Sequence, residues 1–103
     1  MFVREARRRR SVWENLDAKL NELTSFVKGI DSEAEVYLFG SVAKGENNFA
    51  SDIDILVVTI MPYEKMLTSI SRKGFDDPFE IHVRSPLEAI RYKQMIDRMT
   101  RLL

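Results

Sequence analysis

Apolar residues recur along this chain with two different periods, and the changes of period mark its elements. Between residues 11 and 30, Trp13, Leu16, Leu20, Leu23, Val27 and Ile30 fall three or four apart, which makes one stripe along a helix. Ser11 with Glu14 offers a capping box at its start, and Gly29 with Asp31-Ser32 a stop. Residues 34–39 then alternate, with Ala34, Val36 and Leu38 on one face of a strand. A second strand is expected from about Ile53 to Thr59. Pro62 opens a helix whose face is Tyr63, Met66, Leu67 and Ile70, closed by Lys73-Gly74. A third strand covers 79–83. Ser85-Pro86 starts a last helix over 86–102. Its apolar positions are Leu87, Ile90, Met95, Ile96, Met99 and Leu102-Leu103; they spill beyond one face and, with Tyr92, suggest an interface. The order helix, strand, strand, helix, strand, helix predicts an α+β fold, a small mixed β-sheet with helices packed on one face.

Core packing does not explain two stretches. Phe39-Gly40-Ser41-Val42-Ala43-Lys44-Gly45 ends the first strand in a glycine-rich turn. Ser51-Asp52-Ile53-Asp54-Ile55-Leu56-Val57 starts the next strand with two carboxylates. In a strand, Asp52 and Asp54 share a face and lie about 6–7 Å apart. Two like charges that close repel, and a hard cation is their natural neutraliser. Ile53, Ile55 and Val57 fall on the opposite, buried face and fix the register. Gly40 lets a ligand approach the main chain. Ser41 supplies a hydroxyl and an N–H, and a helical turn over 41–45 would aim N–H groups at an anion. Lys44 adds a positive charge.

Further candidates follow along the chain. In Phe79-Glu80-Ile81-His82-Val83, Glu80 and His82 share a face. An acid in the middle of a strand is costly without a partner, which marks Glu80. His82, the single histidine, reads as a satisfied structural residue, with assistance to Glu80 as the alternative. Asp76-Asp77-Pro78 reads as a turn rather than a metal site. Phe49, in the polar insert 46–50, reads as a gap filler rather than a base-stacking ring. Arg7-Arg8-Arg9-Arg10 reads as the solvated turn of a helix, with a basic arm for RNA as the alternative.

Composition narrows the field. A chain of 103 residues predicts a single domain, residues 1–103. Sixteen basic and sixteen acidic residues cancel, so no global charge argues for nucleic acid. The absence of cysteine excludes disulfides and thiolate metal sites. No apolar run has the length of a membrane span, so a cytoplasmic protein is expected.

Gly40-Ser41, ten residues, and Asp52-Ile53-Asp54 running into a β-branched strand arise together by chance on the order of once in a thousand such chains. The pattern resembles the minimal nucleotidyltransferases of the DNA polymerase beta superfamily. Lys44 stands where many members have Arg, keeping the charge but losing the bidentate fork. The resemblance implies a third acid on a later strand, and Glu80 in Phe79-Glu80-Ile81 fits it. It further implies two Mg²⁺ ions held by Asp52, Asp54 and Glu80, with Glu80 also helping to deprotonate an acceptor hydroxyl. Gly40, Ser41 and Lys44 would grip the phosphates of a nucleoside triphosphate. The implied reaction is NMP transfer, AMP from ATP first. Larger relatives carry an added domain for the acceptor, so here the acceptor is expected on a second protein. Free-standing domains of this kind resemble the antitoxin of toxin–antitoxin pairs, whose partner is a helical ribonuclease of the HEPN (higher-eukaryote-and-prokaryote nucleotide-binding) fold. AMP would then pass to a tyrosine of that toxin. The alternatives are a non-catalytic subunit that masks its partner and an RNA-directed transferase. A homo-oligomer stays open.

Overall fold

The computed structural model describes residues 2–45, 48, 50–96 and 98–103, with the backbone alone for 2–5 and 44. Phe49 and the side chain of Lys44 therefore lie outside the described residues. The elements run α1 (Phe2–Glu14), α2 (Leu16–Ile30), β1 (Glu35–Phe39), α3 (Ser41–Lys44), β2 (Ile53–Val58), α4 (Tyr63–Arg72), β3 (Phe79–Arg84), α5 (Pro86–Met95) and β4 (Met99–Arg101). The α+β class and the mixed sheet agree with expectation. The strand order is β3-β2-β1-β4; β2 pairs parallel with β3, and β1 pairs antiparallel with β2 and β4.

Strand alternation divides the side chains cleanly. Val36, Leu38, Ile53, Ile55, Val57 and Val83 point into the main core. They meet Leu20, Leu23 and Val27 of α2 and Met66 and Ile70 of α4. Each such side chain, fully buried, contributes about 1.5–3 kcal/mol. The helices of this face match the expected arrangement. The other face carries a smaller cluster of Tyr37, Leu56, Val58 and Ala89, flanked by Phe39, Tyr92 and Met99. There α5 lies over part of the sheet, on the side opposite to α2 and α4.

Two boundaries and the orientation of one helix differ from the sequence reading. The first helix breaks at Asn15, whose side-chain amide donates to the Ser11 carbonyl at 2.8 Å. Asparagine competes in this way with the helical backbone. Ser11 consequently lies inside α1 and caps nothing. The last helix stops at Met95, and Ile96 is already extended. The chain then forms β4, which fills the free edge of β1: the N–H of Leu102 donates to the Val36 carbonyl at 2.7 Å. Pairing satisfies backbone groups that an open edge leaves exposed. Thirdly, α5 turns Leu87 (79% exposed), Ile90 (57%) and Met95 (79%) outward and buries Ala89.

Candidate active site

Gly40 closes β1 with φ 76° and ψ −154°, backbone angles that are nearly exclusive to glycine. A Cβ there would collide with the carboxylate of Asp54. The turn and the acid are thus packed directly against each other. Ser41 starts the short helix α3, and Gly45 ends it in the left-handed conformation. Phe39 is the cross-strand partner of Asp54, and Glu80 is its neighbour on the parallel side. The open half of the sheet face therefore reads Glu80, Asp54, Phe39 from edge to centre.

Ligand atoms of Asp54, Glu80 and His82 all lie within 4.8 Å of one another. Asp54 is largely shielded, whereas the side chain of Glu80 is 55% exposed. Burial, then the charge and hydrogen bond of Glu80, then the charge of Asp52 push the Asp54 carboxyl up to about 6. Such a group gains from a neutralising cation. The oxygen-rich donor set suits a hard divalent ion.

Asp52 stands outside this group of three, although it lies close enough for its charge to act on Asp54. Its carboxylate is 3.5 Å from the guanidinium of Arg9. Two of the three expected acids are therefore brought into contact, and the third stands just ahead of the first residue of β2.

The sequence reads His82 as structural, yet its ring joins the site. Nδ1 is hydrogen-bonded to the Tyr92 hydroxyl at 2.6 Å. Nε2 is buried with no hydrogen-bond partner among the described residues, 3.7 Å from Glu80 Oε1 and 3.8 Å from Asp54 Oδ1. Burial lowers the His82 pKa, Glu80 opposes that shift, and Arg84 adds to it. The ring also packs against Phe39, with centroids 5.2 Å apart. The clue in the sequence is its i+2 spacing from Glu80, which puts both on one face.

The arginine run is largely used within the fold. Arg8 donates to the Gly74 carbonyl at 3.2 Å, Arg9 is paired with Asp77, and Arg10 is bonded to Glu14 at 3.0 Å. The Asp76-Asp77 turn is correspondingly held by arginines.

The nucleotidyltransferase domain family matches residues 20–102, and the chain belongs to it. One solved structure, assigned as a nucleotidyltransferase, is 31% identical with a TM-score of 0.69; the match covers 82% of this chain and 98% of that one. A second, assigned likewise and from Sulfolobus solfataricus, is 28% identical with a TM-score of 0.59, covering 81% and 76%. No protein of curated function matches the chain. Among the described residues, no helix is long and apolar enough to cross a membrane.

Proposed function

We propose that this nucleotidyltransferase domain transfers AMP from ATP, with Mg²⁺, to a hydroxyl of a partner protein, and that it serves as the antitoxin of a toxin–antitoxin pair. The observation that carries the catalytic part is the contact of Gly40 with Asp54 beside Glu80. A turn able to receive phosphates and a mutually repelling pair of acids meet at one point. Asp54, Glu80 and, after rotation away from Arg9, Asp52 would hold the Mg²⁺. Bound there, Mg²⁺ supplies charge neutralisation for the triphosphate and acidifies the acceptor hydroxyl. Gly40 and Ser41, with Lys44, receive the β- and γ-phosphates. Glu80, the most open of the acids in the cluster, takes the acceptor proton. The acceptor oxygen then bonds to the α-phosphorus as pyrophosphate leaves. Tyr92 fixes the orientation of His82, whose Nε2 faces both acids.

The partner protein is supported by the outward apolar face of α5, where Leu87, Ile90 and Met95 stand exposed. An all-helical toxin of the HEPN type is the occupant that the family resemblance implies. The same face favours a second reading, a subunit that masks its partner without turnover. Incubation with labelled ATP, Mg²⁺ and the neighbouring gene's product separates the two. Transfer of label that disappears in Asp54→Asn supports catalysis; full neutralisation of the partner by Asp54→Asn supports masking. Label transfer unchanged by Asp52→Ala together with Asp54→Ala refutes the site. An RNA-directed activity has less to draw on, since Arg8, Arg9 and Arg10 are engaged with the fold's own acids and carbonyls.

A further inference from the structure

The guanidinium of Arg9 reaches from α1 to the segments that lead into both acid-bearing strands. Nη2 donates to the Ser51 carbonyl at 2.7 Å and to the Ala50 carbonyl at 3.1 Å, directly before β2. The same nitrogen lies 3.5 Å from Asp52 Oδ1. Nη1 is paired with Asp77, in the turn before β3. Arg9 is only 19% exposed, unlike Arg10 at 67%. The first residue of β2 is also bonded to the turn that leads into β3, Ile53 N–H to the Pro78 carbonyl at 2.8 Å.

We propose that Arg9 is a positioning residue of the active site: its planar fork locks the loop 50–52 to the turn 76–78, and so fixes Asp52 and Asp54 relative to Glu80. The inference rests on the site proposed above. It makes α1, which lies before the residues matched to the family, a working part of the centre. A fork is needed because one group must serve two carbonyls and two carboxylates in different directions, which an ammonium on a flexible stem does poorly. The contact with Asp52 is the longest of the set, so Asp52 can leave it for a cation while the carbonyl bonds persist. Arg9 would not touch the reacting atoms.

The test uses the full chain with Arg9→Gln, Arg9→Lys, the exposed control Arg7→Gln, and Leu23→Val as a core change of comparable destabilisation. Amide hydrogen exchange is followed at residues 50–54 and 76–80, and Mg²⁺-ATP uptake is titrated by calorimetry where each variant is folded. Selective loss of protection in those two segments is expected for Arg9→Gln, and not for Leu23→Val. Mg²⁺-ATP affinity should fall about 10- to 100-fold in Arg9→Gln, as for groups that orient metal ligands. Arg9→Lys should recover little of it, and Arg7→Gln and Leu23→Val should bind as the parent does. Unchanged exchange, or affinity within about twofold of the parent in Arg9→Gln (well inside one factor of ten), overturns the role of Arg9. If the parent itself takes up no Mg²⁺-ATP, the site reading fails instead, and the exchange data still decide whether Arg9 ties the starts of β2 and β3 together.

Discussion

Replacing Gly40 by alanine strikes at the contact on which the site depends. Gly40 sits at φ 76°, ψ −154°, and an added Cβ would overlap the Asp54 carboxylate while lying 3.1 Å from its Cγ. Holding a non-glycine residue in that region costs about 1–3 kcal/mol. The overlap adds to this, because Asp54 must swing away or the turn must open. A domain of this size has about 5–15 kcal/mol of stability in total, so the variant should fold but with a lower urea midpoint. The sharper effect falls on Asp54, which would leave Glu80. Mg²⁺-ATP affinity should drop by more than about tenfold in the fraction that remains folded, the scale seen when metal ligands lose their orientation. Gly29→Ala is the matching control: it lies in α2 with nothing within 4 Å of an added Cβ, and should stabilise by about 0.5–1 kcal/mol. Urea titration and calorimetry on the three proteins read both effects. A Gly40→Ala protein with parental midpoint and parental Mg²⁺-ATP uptake would refute the claim that turn and acid are interlocked.

Three further outcomes are expected. The folded Asp54 carboxyl titrates near 6 against an ordinary 3.8, so the native state holds that proton more tightly than the unfolded chain does. Its contribution is complete below about pH 4 and is lost as pH rises toward 6; with solvent screening it amounts to about 1 kcal/mol. Measured against Asp54→Asn in EDTA, the parent's urea midpoint should therefore decline across that window; His82, whose pKa is lowered, pulls the other way in the parent's own profile. Leu23→Ala, at a fully buried position, should cost about 2–5 kcal/mol, read by thermal or urea unfolding. Leu87→Ser with Ile90→Ser should leave stability within about 0.5 kcal/mol while abolishing complex formation with the neighbouring gene's product in size-exclusion chromatography; undiminished complex formation would remove α5 as the docking face.

The placement of the candidate acids is legible in the sequence because strand geometry is rigid. A period of two places Asp54 opposite Ile53 and Ile55, and Glu80 opposite Phe79 and Ile81, whatever the loops do. The helices are harder. Trp13 and Leu16 keep a helical spacing across Asn15, so periodicity alone does not reveal the break made by one amide. Ile96, Met99 and Leu102 also fit a helix, yet the unpaired edge of β1 draws Met99–Arg101 into the sheet. That choice depends on a partner strand far back along the chain, which local pattern does not contain. The orientation of α5 is hidden for a related reason: Ala89 and Tyr92 pack on the second face of the sheet while Leu87 and Ile90 turn outward, a choice set by the sheet surface and not by the helix's own pattern. Arg9 and Asp77 are both visible as charges, but only the fold brings them together.

Strand β2 is buried on both sides from Ile55 to Val58, and the start of its pleat presents the acid beside Gly40. A slip of one position would drive that acid into grease and leave isoleucine facing the opening. The register that buries the isoleucines is consequently the one that sets Asp54 beside Gly40. Lesions deep in the interior should change how many working molecules a cell holds, and leave the output of each survivor untouched.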